Sequence, residues 1–186
     1  MAEEKKKSWF RRHWIITIIL IIFIIGGIGS ILFPEEQSDN PKTETKTTFA
    51  IGDKISIDNV DYTVNEAFNL PIVGSSYVNK EADGTFVIIS IEVKNNKNNE
   101  ILLTSNDFKL KDSQSRVYNA DSSAGLYLDT MGYKSFMFKQ LGAGLSTNGE
   151  VVFDVPKDAK GLVLEISGES ILSDSKYVSI GDVSNL

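Results

Sequence analysis

No cysteine occurs in the 186 residues. That one absence excludes disulfides, thiol nucleophiles, thiolate metal sites and acylation of a lipoprotein cysteine. Histidine occurs once, at position 13. A Ser-His-Asp arrangement or a histidine-ligated zinc site therefore has no material beyond that position. Proline is scarce at four residues, and two of them, Pro34 and Pro41, fall in one short segment. Basic residues are outnumbered, 19 against 25 acidic, for a net charge of −6. Nucleic-acid partners are not expected, because phosphates repel such a surface and no basic stripe offsets it. No stretch after residue 50 keeps a helical period over ten residues.

What the chain does have is one long uncharged run, WIITIILIIFIIGGIGSILF, at residues 14–33. At about 1.5 Å of rise per residue, such a helix covers roughly 30 Å, the hydrocarbon thickness of a bilayer. In lipid every backbone N–H and C=O must be paired within the segment, so a single span is helical. Residues 1–13 carry Lys5, Lys6, Lys7, Arg11 and Arg12 against Glu3 and Glu4, a net +3. Pro34, Glu35 and Glu36 follow the run, and residues 34–186 carry −9. The positive-inside rule then predicts a cytoplasmic segment at 1–13 and an extracellular remainder. Trp9, Phe10 and Trp14 stand at the inner interface, and His13 beside them reads as an interfacial polar residue. The alternative is a cleaved signal peptide, with Gly27-Ile28-Gly29 before Ser30 as its cleavage site and a secreted product.

Residues 34–48, PEEQSDNPKTETKTT, hold no large apolar side chain and read as a polar linker. From Phe49 the texture changes to short apolar alternations broken by turn residues. KISI (54–57) and VDYTV (60–64) meet across Asp58-Asn59 as a hairpin. TFVIISIEV (85–93) aligns Val87, Ile89, Ile91 and Val93 on one face, with Phe86 and Ile88 on the other, which predicts a central strand. ILL (101–103), DFKLK (107–111) and RVY (116–118) follow. YKSFMFK (133–139) is expected to be a strand with Phe136 and Phe138 on one face. LGAGLSTNG (141–149) reads as a glycine-rich turn before EVVFDV (150–155). LVLEI (162–166) and KYVSI (176–180) close the series. Many short strands at this spacing predict an antiparallel β-sandwich over residues 49–186, with a barrel as the alternative.

FAIGDKISIDNVDYTV (49–64), GTFVIISIEVKNN (84–96), SNDFKLKDSQSRVY (105–118) and LSTNGEVVFDVP (145–156) carry a resemblance. The chain resembles a bacterial family of Ig-like extracytoplasmic domains of unknown function, within the immunoprotective extracellular, immunoglobulin-like superfamily. The resemblance implies a compact Ig-like β-sandwich outside the membrane of a mostly Gram-positive cell. It implies no catalytic residues. Where the family often has Pro-Gly, this chain has Ala143-Gly144.

Motifs with chemistry are few. Ser173 and Lys176 have the S-x-x-K spacing of some acyl transferases, but in a strand or loop context rather than on a helical turn. Asp53, Asp58 and Asp61 lie near one another, and Asp107 and Asp112 flank a strand; hairpin tips explain them without calcium. The chain is thus expected to be non-enzymatic, with no cofactor and no metal. Two inter-strand loops, FNLPIVGSSYV (68–78) and AGLYLDTMGY (124–133), are the candidate partner-binding sites. Their candidate residues are Leu70, Ile72, Val73, Tyr77, Leu126, Tyr127, Met131 and Tyr133. Folding back to cap the sandwich is the competing role for these side chains. The expected partners are the membrane, through residues 14–33, and a protein or cell-envelope component. An extracytoplasmic ligand or metal sensor working with a membrane partner is the alternative function.

Overall fold

The computed structural model describes residues 48–136, 138–168 and 173–183. The expected segments at 1–13 and 14–33, and the linker up to residue 47, lie outside them. No helix among the described residues is long and apolar enough to cross a membrane.

The strands are β1 (Thr48–Phe49), β2 (Lys54–Ile57), β3 (Val60–Gly74), β4 (Asn79–Asn95), β5 (Ile101–Leu103) and β6 (Phe108–Lys111). They continue as β7 (Val117–Asn119), β8 (Lys139–Leu141), β9 (Ser146–Val155), β10 (Leu162–Ile166) and β11 (Lys176–Gly181). One helix, α1 (Ser122–Asp129), lies between β7 and β8. A four-stranded sheet has the order β2-β3-β4-β9, and a five-stranded sheet the order β1-β11-β10-β6-β7. β5 and β8 pair separately. The only parallel strand pair among the described residues is β1 with β11, at a sheet edge. The fold is an all-β sandwich.

Alternation on β4 explains how the sheets pack. Val87, Ile89, Ile91 and Val93 enter the main core, against Phe108, Leu110, Leu164 and Ile166 of the opposite sheet. Phe86 and Ile88 point the other way, into a second cluster under α1. β4 lies between β3 and β9, the central place expected of a strand loaded on both faces. Each such side chain contributes on the order of 1.5–3 kcal/mol when fully buried.

β3 changes face partway along. Val60, Tyr62 and Val64 belong to the main core, and strict alternation would send Glu66 and Phe68 the same way. The pairing instead runs Val64↔Ile91, then Glu66↔Ser90 and Ala67↔Ile89. One extra residue on β3 forms a β-bulge, which inverts every side chain beyond it. Ala67 now packs on the main core and Phe68 on the second cluster.

Four expectations need correction. Residues 68–78 are not a loop: β3 runs through Pro71 to Gly74 and turns back directly into β4. The pairing jumps there from Leu70↔Phe86 to Ile72↔Glu81, an irregularity that accommodates a residue without an N–H. Residues 124–129 are not a loop either, since α1 occupies Ser122–Asp129, and only 130–133 form the turn that follows it. Residues 133–138 form no strand. Phe136 is buried and stacks on Phe108 at 5.8 Å, whereas Phe138 is 72% exposed at φ 54°. The backbone of 134–136 is pinned to β9, where Glu150 N donates to Lys134 O at 2.7 Å, and a single parallel bridge joins Ser135 to Glu150. The glycine-rich turn is also shorter than expected, because β9 already begins at Ser146.

Candidate functional site

The two candidate segments meet. Beyond residue 70, β3 and β4 leave the four-stranded sheet as a two-stranded arm, since β9 pairs only with residues 85–94 of β4. The tip is closed by Ser75 N donating to Val78 O at 2.9 Å. Helix α1 packs beside this arm. Asp121 caps it, its Oδ1 accepting from Ala124 N at 2.9 Å. Asp121 Oδ2 accepts from Lys80 Nζ of the arm at 2.6 Å, and Lys80 also donates to Ser123 Oγ at 2.6 Å. At the other end of the helix, Gly74 N lies 3.1 Å from Met131 Sδ.

The eight candidate residues divide between two roles. Val73 is fully buried in the second cluster, and Leu70, Tyr127 and Tyr133 pack against it while only partly buried. Tyr133 also contacts the Phe68 ring at 6.0 Å. These four cover the back of the four-stranded sheet. The other four face solvent: Tyr77 is 97% exposed, Leu126 51%, Ile72 46% and Met131 39%. Val78, which the sequence reading passed over, is 56% exposed next to Tyr77. Its signal was its place in the tight turn at the arm tip.

Below the helix a pocket of about 280 Å³ is lined by Asp129, Tyr133, Ser135, Phe136, Lys139 and Asn148, among others. Asp129 and Glu150 shape this region by accepting backbone hydrogen bonds, Asp129 Oδ1 from Ser135 N at 3.1 Å and Glu150 Oε2 from Lys134 N at 2.7 Å. Burial pushes the Glu150 carboxyl up. The Lys134 hydrogen bond opposes that shift, while the charges of Asp129 and Glu66 add to it.

The carboxylates weighed for calcium are each engaged locally. Asp53 accepts from Ala50 N at 2.8 Å, and Asp107 from Thr104 N at 2.8 Å. Asp58 accepts from Ser173, and Asp61 from Ser56. Asp112 holds the β6–β7 turn, accepting from Gln114 N and Arg116 N, both at 2.9 Å, from Tyr118 OH at 2.9 Å and from Arg116 Nε at 2.5 Å. No group of three metal-ligating side chains occurs among the described residues. Ser173 sits in a bend and Lys176 opens β11, so the S-x-x-K pair does not share a helical turn. His13 lies outside the described residues.

Asn95 is the polar residue that sequence reasoning missed. It is fully buried at the end of β4. Its Nδ2 donates to Leu141 O at 3.0 Å, Gly142 O at 3.2 Å and Asn99 O at 2.8 Å, and its Oδ1 accepts from Lys97 N at 2.9 Å. Its backbone also clasps the turn, with Gly144 N donating to Asn95 O at 2.9 Å. That clasp, with Gly144 at φ 73°, fixes the turn at Ala143-Gly144.

The family described as a domain of unknown function (DUF4352) matches residues 49–177, and the chain belongs to it. The uncharacterized protein YxkC of Bacillus subtilis (strain 168) is 30% identical over 123 residues, spanning 63% of this chain and 68% of that protein. The crystal structure of the yjhA protein from Bacillus subtilis is similar in fold, with TM-score 0.54 and 14% identity over 72% of this chain and 99% of that one. A conserved hypothetical protein from Bacillus anthracis gives TM-score 0.53 and 21% identity, over 68% of this chain and 94% of that one. The resemblance noted in the sequence is thereby established at the level of family and fold.

Proposed function

We propose that this DUF4352 domain is a non-catalytic contact module, held outside the cell membrane by residues 14–33. It engages a protein of the cell envelope through the arm tip and the adjoining face of α1. The observation that carries this reading is Tyr77. It is 97% exposed at the tip of an arm whose other face is packed on a helix. Ile72, Val78 and Met131 are exposed on the same arm and at the end of the helix beside it. Tyrosine and methionine are residue types that protein interfaces favour.

The location rests on the +3 segment, the uncharged run and the −9 remainder.

The test places a photoreactive residue at position 77 of the full-length chain and irradiates intact cells. The expected result is one dominant adduct with an envelope protein, absent when the probe stands at Lys94 on the body of β4. No adduct at 77 above that at 94, from folded and surface-exposed protein, overturns the reading.

A further inference from the structure

A second pocket, separate from the arm tip, opens between the sheets at the root of the arm. Its volume is about 220 Å³, room for about seven waters at their share of the liquid. Asn69, Thr85 and Val87 line it from the four-stranded sheet, and Leu162 from the five-stranded one. The turn at 156–160 and Asp182 complete its mouth. The pocket thus continues the main core out to solvent.

Asn69 is the anomaly. The bulge on β3 turns its side chain inward, on the same face as Ala67 and paired with Val87. Its neighbours in the pocket include Val87, Val155 and Leu162. On stability alone such a position takes an apolar side chain. Instead it holds an amide whose Oδ1 is buried and has no hydrogen-bond partner within the described domain. A buried acceptor left unmatched destabilises the fold, so Asn69 Oδ1 calls for a donor from outside the described domain. Thr85 stands nearby, its Oγ1 donating to Leu70 O at 3.5 Å.

The mouth carries charge of a defined sign. Lys157 and Lys160 line it, and both are exposed. Two carboxylates stand there: Asp182 lines the pocket and accepts from Gly161 N at 2.8 Å, and Asp158 in the turn pairs with Arg116 at 3.2 Å. An acidic domain therefore presents two ammonium groups over a slot of mixed polar and apolar lining, with an amide on its wall. We propose that this pocket binds a small carboxylate whose body carries an amide N–H, the chemistry of a peptide carboxyl terminus. The carboxylate meets Lys157 and Lys160. A small apolar side chain lies against Val87, Val155 and Leu162. The ligand N–H donates to Asn69 Oδ1, with a χ2 adjustment of the amide presenting the oxygen to the slot.

This proposal does not depend on the arm as a contact surface. It is tested by saturation-transfer NMR on the full chain in detergent, with N-acetyl-dialanine as probe in its L,L and D,D forms. Saturation transfer is expected from at least one form, falling about tenfold for the dialanine amide, which lacks the carboxylate. Asn69→Leu and the double variant Lys157→Ala/Lys160→Ala are each expected to weaken binding about tenfold. Asn69→Leu is also expected to melt no lower than the parent chain, which a merely structural asparagine would not allow. Binding of the L,L form alone indicates protein carboxyl termini as the ligand source, and binding of the D,D form alone indicates peptides of D-residues. Binding of both indicates recognition of the terminus regardless of chirality. No transfer from either form at millimolar concentration overturns the proposal. Binding that survives the lysine double variant, whose exposed side chains are not needed for folding, overturns it as well.

Discussion

Lys80 of the arm and Asp121 at the start of α1 are joined at 2.6 Å, and this pair fastens the projecting hairpin to the helix beneath it. Asp121 serves two partners at once. Its Oδ2 accepts from Lys80, and its Oδ1 accepts from Ala124 N and from Ser123 Oγ. Burial pushes this carboxyl up, but the hydrogen bonds from Lys80, Ala124 and Ser123 outweigh it and leave it below the usual range. Lys80 Nζ also stands 6.0 Å from the centre of the Phe86 ring, in the cluster the helix covers.

Asp121→Ala is expected to destabilise the domain by about 1–2 kcal/mol, because it removes an N-cap together with the ion pair. Lys80→Ala is expected to cost at most about 1 kcal/mol, the ordinary range for a half-exposed pair. In the double variant the losses should fall short of additive, since both changes delete one shared contact. Urea denaturation of the four species gives the coupling. Hydrogen exchange should show the amides of 122–129 opening first in Asp121→Ala.

Asp112 makes acid stability the next prediction. Burial raises its carboxyl, but the Arg116 side chain and backbone, the Tyr118 hydroxyl and Gln114 N together hold it at about 2. The group loses protons more readily folded than unfolded. Its contribution is therefore complete above the unfolded value near 3.8 and is lost as pH falls from there through about 2. Urea midpoints measured from pH 2 to pH 6 should rise across that window in the parent chain. In Asp112→Asn the curve should start lower at neutral pH and be flatter between pH 2 and 4.

Glu150 should behave with the opposite sign. Its folded carboxyl lies above the ordinary glutamate value of 4.5, so the folded state holds its proton longer. Stability from this group is present below that value and is lost as pH rises through the folded one. Glu150→Gln keeps an acceptor for Lys134 N and removes the charge beside Asp129 and Glu66. Its melting temperature is expected to equal or exceed that of the parent at pH 7, with the difference shrinking towards pH 4. A lower melting temperature at pH 7 would mean that the charge itself holds the 134–136 segment.

The sandwich was legible because its signals are local and repeated. Alternation on β4 separated Val87, Ile89, Ile91 and Val93 from Phe86 and Ile88, and both faces are packed as expected. Asp58-Asn59 named its own turn, and the two residues adopt φ 50° and 63°. The arm was not legible, because Pro71 and Gly74 are loop signals that an isolated two-stranded edge tolerates. The helix was missed because eight residues show barely two turns, and its apolar contacts, Ala124 and Leu128, give a single i,i+4 pair. Phe136 and Phe138 look equivalent in sequence. Only the contact of Phe136 with Phe108, and the close approach of Gly149, where a Cβ would stand 2.6 Å from the Phe136 ring, separate them.

The candidate residues divide by burial, and that division is measurable. Leu128→Ala removes a fully buried side chain from the second cluster and should cost about 2–5 kcal/mol. Tyr77→Ser changes a side chain that is 97% exposed and should stay within about 0.5 kcal/mol of the parent. Envelope contacts should respond in the reverse order per unit of stability lost. Tyr77→Ser should abolish co-purification of the partner from folded protein. A Tyr77→Ser chain that is stable and still retains its partner would move the contact surface off the arm.

The missing cysteine makes the topology testable without background. A single cysteine at Ser8 or at Ser38 would be the only thiol in the chain. With residues 14–33 spanning the membrane and the +3 segment inside, a membrane-impermeant maleimide should label Ser38→Cys in intact cells. Ser8→Cys should label only after permeabilisation. Carbonate extraction should leave both in the membrane at full-length mass. Cleavage before Ser30 gives a different pattern: Ser38→Cys in the medium on a chain shortened by 29 residues, and no Ser8 label on the mature protein. The inverted pattern, with Ser8 labelled from outside, would require lysines and arginines to have crossed the membrane ahead of an acidic domain left inside. That is the arrangement the charge distribution opposes most strongly. Each result fixes where the sandwich works, and so whether Tyr77 meets the cell that made it or a surface elsewhere.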